Sequence, residues 1–375
     1  MLAWLAIVAG LLWVGFAYAG YPLLLGALRR FLPRPPLALP AAGYAPPLTV
    51  VIAVHNGARE LAGKLENTLA QEYPGRREVI VSSDGSTDAT ESIAASFEAR
   101  GVRLVRGVER RGKEAAQAAA IAQANGDVLV FSDVSARLEP GALLAIVQPF
   151  ADATIGSVSS EDVVDDEAGE GAYVRFEMAL RRLESEAATL VGLSGSFFAV
   201  RRALCTPWPS DLASDFRSAL ESARRGLRAI SEPRARARFG VNPDVGAEWN
   251  RKVRTVRRGL AVLFAYRDLL HPRHGRAALA LWGHKVARFT SPLALVLVLV
   301  GSLAAAPTSR LAALLAIGQI LGYAAAVLSL LVPAVARWRL PRLAGFFLLV
   351  NASMLVAWWH HLRGERAVLW QPTQR

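Results

Sequence analysis

The sequence predicts an α/β domain built on a mostly parallel sheet and fastened to a membrane by apolar helices. Two observations predict the domain. Short β-branched apolar runs alternate with helical stretches of about 10 to 15 residues, the pattern of parallel strands joined by crossover helices, and polar clusters fall where those strands end, which is where such sheets place their ligands. A third observation predicts the membrane part. Of 375 residues 53% are hydrophobic, and the apolar residues are concentrated in four uncharged runs, Met1–Leu28, Phe289–Ser309, Leu311–Ala336 and Leu343–Trp359.

Taken in order, the first run exceeds the roughly 20 residues a helix needs to cross hydrocarbon. It lacks a basic start and is longer than the apolar stretch of a signal peptide, so a retained anchor is expected over residues 1–28. Arg29, Arg30 and Arg34 follow at once and put the next segment on the cytoplasmic side. Residues 29–47 form a connector, with six prolines between Phe31 and Pro47. Strands are expected at Leu48–Val54, Glu78–Ser82, Val102–Val105 and Val128–Phe131. Helices are expected at Glu60–Ala70, Asp88–Arg100 and Lys113–Asn125. The domain extends over 48–270. Residues 271–290, with Trp282, His284, Lys285 and Arg288 among apolar neighbours, are expected to form an amphipathic helix in the membrane interface. About three spans follow over 291–361, then a tail, 362–375.

The single cysteine, Cys205, excludes an internal disulfide and a thiolate metal cluster. A net charge of +12 beside membrane segments points to anionic lipid and to a diphosphate ligand rather than nucleic acid.

Four clusters carry chemistry. His55-Asn56-Gly57 closes the first strand. Ser82-Ser83-Asp84-Gly85-Ser86-Thr87-Asp88 closes the second; a helix cap accounts for Asp88 or Thr87 but leaves Asp84 open to accept from a base or a ribose. Arg110-Arg111-Gly112-Lys113 opens the Ala-rich helix, where cations oppose the helix dipole but suit a phosphate. Phe131-Ser132-Asp133-Val134-Ser135 ends the most apolar strand, and its carboxylate either caps a turn or holds Mg²⁺ shared with substrate phosphates.

In this order the clusters resemble the nucleotide-binding half of the family 2 inverting glycosyltransferases of GT-A fold, with the membrane arrangement of the hyaluronan and cellulose synthase-like members. The resemblance covers about residues 48 to 290. It implies a sugar transferred, as a hexosyl group and with inversion, from a nucleotide sugar, UDP-linked in the first instance. Asn56, Asp84, Lys113, Asp133, Arg251 and Arg254 would bind the donor; Asp133 and Ser135 would hold Mg²⁺ or Mn²⁺. Ser135 stands where many members have a second Asp, and Ala118 where many have Asn. Gly192 to Arg202 resembles the acceptor-side loop, which places Gly195 and Ser196 near the acceptor. Ser214-Asp215-Phe216 resembles the Glu-Asp element and makes Asp215 the general base. Glu248 to Thr255 resembles the Gln/Arg-x-x-Arg-Trp element with Thr255 in place of Trp, which weakens a processive reading.

The acceptor implied is a cell-surface polysaccharide or a lipid-linked precursor of one, with a glycolipid such as ceramide as the alternative. A transporter subunit is the reading from a different class; the late runs hold no acidic residue that would mark an ion path. The expected setting is the cell membrane, crossed several times, with the catalytic domain in the cytosol. An odd number of late spans would place the basic tail outside, so one late run is expected to be re-entrant. The Trp370-Gln371-Pro372-Thr373 tail itself resembles one that family members keep near the catalytic domain.

Overall fold

The computed structural model describes residues 1–164, 170–239 and 245–365; Arg366, Trp370 and Arg375 lie outside the described residues. Eight strands form one sheet: β1 (Leu48–Val54), β2 (Arg77–Ser83), β3 (Val102–Arg106), β4 (Val128–Ser132), β5 (Arg137–Leu138), β6 (Ile155–Val164), β7 (Phe197–Arg201) and β8 (Arg228–Phe239). Their order is β3-β2-β1-β4-β7-β6-β8-β5. The four strands expected from sequence are the parallel half, in matched register from β3 to β4. Every residue of β1 is buried, as expected of a parallel strand with helices on both faces. The other half is mixed: β7 pairs antiparallel to both β4 and β6, while β6 and β8 run parallel. Two cores fill the faces, one around Val50, Ile52, Leu65 and Phe197 and the other around Val51, Leu129, Phe131 and Phe198.

The helices start close to where the pattern places them and end earlier. The Ala-rich helix runs Lys113–Ile121 and stops short of Asn125. Gly126 lies directly against the β1 backbone, where a methyl would sit 2.4 Å from the Thr49 nitrogen, so the chain must already have turned toward β4. The stretch from Asp88 becomes the helix Thr90–Ser96 followed by a 3₁₀ turn, Glu98–Arg100.

Among the described residues four helices are long and apolar enough to cross a membrane: Leu2–Phe31, Arg276–Ala305, Arg310–Leu331 and Arg339–Leu362. The first two pack antiparallel. A methyl on Gly10 would collide with Val298, one on Gly301 would press on Ala3 and Ile7, and Trp13 donates to Thr290 Oγ1 at 2.8 Å. Small residues that let helix backbones approach are the usual device for this in lipid.

The separate interfacial helix expected at 271–290 is not found. After a 3₁₀ turn at Pro272–His274 the chain enters the continuous helix Arg276–Ala305, which absorbs a π-turn at Leu281–Val286. Pro292 lies inside that helix without ending it. Gly283 packs against the Tyr21 ring of the first helix, so the segment is held by another helix.

The last apolar helix, Arg339–Leu362, lies along Val245–Ala265 and runs the same way. Lys252 stands over the Phe346 ring, Val350, Met354 and Ala357 pack with Val256 and Leu260, and Phe264 stacks on His361. Just beyond its end, the Glu365 carbonyl accepts from Arg257 at 3.1 Å.

Candidate active site

The carboxyl end of β4 and the start of the helix Lys113–Ile121 meet the β6–β7 half of the sheet and the Arg-rich helix Val245–Ala265 around a cavity of about 430 Å³. Each expected site residue has a definite place relative to it.

Asn56 and Asp84 do not line it. Asn56 takes a positive φ of 49°, which Asn tolerates better than most residues, and its Oδ1 accepts from the Thr87 nitrogen at 2.8 Å. It thereby ties the end of β1 to the turn after β2. Asp84 is 3% exposed. Its Oδ1 accepts from Arg111 N at 2.7 Å and its Oδ2 from Gly112 N at 2.9 Å. The carboxylate therefore shapes the loop entering the helix Lys113–Ile121.

Lys113 and Asp133 do line the cavity and are ion-paired, Nζ to Oδ1, at 2.6 Å; Lys113 also donates to the Gly195 carbonyl at 3.1 Å. Burial pushes the Lys113 ammonium down. The carboxylates of Asp133, Glu114 and Asp215 outweigh that effect and leave it above its ordinary value. Ser135 lies in the turn after β4 and is not among the described residues lining the cavity.

Gly195, Ser196 and Asp215 form the adjacent wall. A methyl on Gly195 would come within 3.4 Å of Asp215 Oδ2, so the loop passes directly over that carboxylate. Asp215 itself stands in the first turn of the helix Ser214–Arg224. Arg251 and Arg254 line the cavity from the helix Val245–Ala265. Burial and the neighbouring guanidinium groups of Arg258 and Arg251 lower the Arg254 pKa.

Sequence reasoning missed several residues of this site. Asp162, near the end of β6, lines the cavity, and its Oδ1 accepts from Ser194 at 2.5 Å and Ser196 at 2.8 Å. Its sequence signal was the acidic pair Glu161-Asp162 inside a strand rich in serine and valine. Glu114 is 2% exposed, pairs with Arg258 and accepts from Ser214 N at 3.4 Å. It thus joins the helix of Lys113 to the helix of Asp215 and to the Arg-rich helix. Arg258 was legible as the next helical turn after Arg254. Glu177 and Arg181, on the helix Glu170–Ala187, form part of the wall nearest the membrane helices, with His284, Lys285 and Arg288 opposite.

Among the described residues, no three His, Cys, Asp or Glu side chains group to hold a metal ion. The cavity instead offers the separate carboxylates of Asp133, Asp162 and Asp215. That donor set fits a hard cation sharing its coordination with substrate phosphates, since Mg²⁺ commonly takes only one or two protein carboxylates in such sites.

Residues 49–206 match the model of glycosyl transferase family 2. That segment is similar to the family 2 glycosyltransferases. Over 146 residues it is 32% identical to the succinoglycan biosynthesis protein ExoO of Rhizobium meliloti (strain 1021), a match that spans 38% of this chain and 41% of that relative. A glycosyltransferase of Rickettsia typhi is 43% identical over 54 residues, 14% of this chain and 17% of the relative. The chain therefore spans less than half the length of these curated relatives. Among solved structures, the mannosyltransferase PcManGT from Pyrobaculum calidifontis, in complex with GDP-Man and Mn²⁺, matches 98% of this chain and all of its own with a TM-score of 0.74 and 27% identity. The α/β domain has the GT-A fold, and the likeness to PcManGT extends through the apolar helices.

Proposed function

We propose that this protein transfers a sugar, with inversion, from a nucleotide sugar to an acceptor presented from the membrane. One observation carries the reading. Lys113, Asp133, Gly195, Asp215, Arg251 and Arg254, spread over more than 140 positions of sequence, line a single cavity in a chain similar over residues 49–206 to the family 2 glycosyltransferases.

In the mechanism we propose, Arg251 and Arg254 grip the donor's diphosphate from one helix face. Lys113 stays protonated at the end of the pair and adds a third cation. Asp215 removes the proton from an acceptor hydroxyl as its oxygen attacks the anomeric carbon, and the sugar–phosphate C–O bond breaks with its electron pair leaving on the nucleoside diphosphate. Asp133, with Asp162 lining the same cavity, would hold a divalent cation, which when bound supplies charge neutralisation on the departing diphosphate. Asn56 and Asp84 act by fixing the loop before Lys113. Both UDP- and GDP-sugars are candidate donors, the first from the resemblance in sequence and the second from the likeness to a GDP-Man-binding protein.

The setting we propose is the cell membrane, crossed three times. The basic helix Val245–Ala265 cannot lie in hydrocarbon, and Arg339–Leu362 follows it from Phe346 to Glu365. That last helix therefore stays on the catalytic side, which returns Arg363 to the side of Arg29 and Arg30, in keeping with the positive-inside rule.

The test is release of nucleoside diphosphate from a panel of UDP- and GDP-sugars by the detergent-purified protein and by Asp215→Asn, with Mg²⁺, Mn²⁺ or chelator. Turnover that needs metal and is lost in the variant is expected. Metal-independent release unchanged by the substitution would remove both Asp133 and Asp215 from their roles.

A further inference from the structure

Asp215 is flanked by two residues that both lead to the helix carrying Arg251 and Arg254. On one side, Glu114 Oε1 accepts from Ser214 N at 3.4 Å, and the same oxygen is paired with Arg258 Nη2. On the other, Phe216 packs toward Gly259, where a methyl would lie 3.9 Å from its ring. Arg258 and Gly259 are successive residues of the helix Val245–Ala265. Glu114 follows Lys113 in the helix Lys113–Ile121, so one carboxylate ties three helices together at the cavity.

Arg251, Arg254 and Arg258 stand three and four residues apart and line the cavity along one face of their helix. Like charges at this spacing repel, and an anion seated on the stripe relieves that repulsion. At the other end of the tie, Ser214 N is among the N–H groups that no carbonyl within the helix Ser214–Arg224 can reach. A helix start also favours negative charge. The Glu114 carboxylate, 2% exposed, is therefore placed from two directions, by the guanidinium and by the first turn that carries Asp215.

We propose that Glu114 is a positioning residue that sets the general base according to the donor. A diphosphate on the arginine stripe fixes Arg258, Arg258 fixes Glu114, and Glu114 fixes the turn that carries Asp215. The donor accordingly binds before the acceptor, and Asp215 reaches its working position with the donor in place. Glu114 takes no proton in this scheme and acts only through Asp215. The proposal rests on the transferase reading above and adds the order of events at the same site.

Two measurements on the full chain in detergent test it, both with UDP or GDP, whichever binds, and Mn²⁺. The first is amide hydrogen exchange with and without the nucleotide. In wild type the nucleotide is expected to slow exchange at Ser214 and Asp215 at least about tenfold, the scale of one hydrogen bond to a charged group. The second sets nucleotide affinity, from calorimetry, against the turnover number for release of nucleoside diphosphate from the donor sugar. Glu114→Ala should keep the dissociation constant within about threefold of wild type and cut turnover at least about tenfold. It should also abolish the slowing at Ser214 while the amides of the helix Lys113–Ile121 stay protected. Glu114→Gln, which keeps an oxygen for Ser214 N, should restore most of both.

Equal slowing at Ser214 in Glu114→Ala would overturn the proposal, as would no slowing in wild type with nucleotide bound. A dissociation constant that worsens in step with turnover would overturn it too, because Glu114 would then be a structural support alone. Failure of UDP and GDP alike to bind wild type would instead strike the transferase reading on which the proposal depends.

Discussion

Lys64 offers the sharpest quantitative test of how this site is supported. It is completely buried in the helix Ala58–Leu69, and its Nζ donates to Ser132 Oγ and to the Ala136 carbonyl, both at 2.7 Å. It thus pins the two ends of the turn that carries Asp133. Burial, helped by Arg137 and opposed by Asp133, pushes its pKa from 10.5 down to about 7. A displacement of about 3.5 units corresponds to about 5 kcal/mol. Between pH 7 and 10.5 the unfolded chain holds a proton that the folded chain has released, so wild-type stability rises with pH through that window. Below pH 7 the charged amine weighs fully against folding. Lys64→Met removes that burden and leaves two buried acceptors unmet, at about 1 to 3 kcal/mol each. The variant should therefore be about as stable as wild type at pH 6 and clearly less stable at pH 10.

The stability difference between the two proteins should swing by about 4 kcal/mol between pH 6 and pH 10. For a domain of this size that is roughly 8 to 16 °C in relative melting temperature. The assay is thermal unfolding of both proteins in detergent and chelator at pH 6, 7, 8, 9 and 10. A difference in melting temperature that stays flat across the series would refute the reasoning, because Lys64 would then titrate near its ordinary value.

Arg258→Met should lower stability by about 3 to 5 kcal/mol, seen as a drop in melting temperature, because it strands the buried carboxylate of Glu114; adding Glu114→Gln should recover much of the loss. Gly195→Ala places a methyl 3.4 Å from Asp215 Oδ2 and is expected to cut the turnover number far more than it alters melting; equal activity would show that the loop yields freely. Cys205 is buried and its thiol is pushed up to about 12, so the native protein should resist maleimide at pH 7 and react once denatured. That silence makes wild type a clean background for Arg363→Cys, which a membrane-impermeant maleimide should label in inverted vesicles and not in right-side-out cells; the reverse pattern would restore a fourth crossing.

The local sequence determined the parallel half of the sheet, the first apolar helix and the positions of Lys113, Asp133 and Asp215. Each rests on a short-range signal: β-branched runs, an uncharged stretch, or a polar cluster at a strand end. Tertiary structure alone decided the rest. Asp84 looked available for a ligand, yet both its oxygens go to backbone groups of a loop 27 and 28 residues later, a pairing no spacing rule exposes. Asp162, Glu114 and Arg181 carry no motif, because a charged residue in a strand or helix gains its role only from what packs opposite. The interfacial helix expected at 271–290 was read from its own amphipathic pattern. That pattern is satisfied instead by Tyr21, Glu177 and Glu184 from distant parts of the chain, which turn its polar residues inward and let the helix run on.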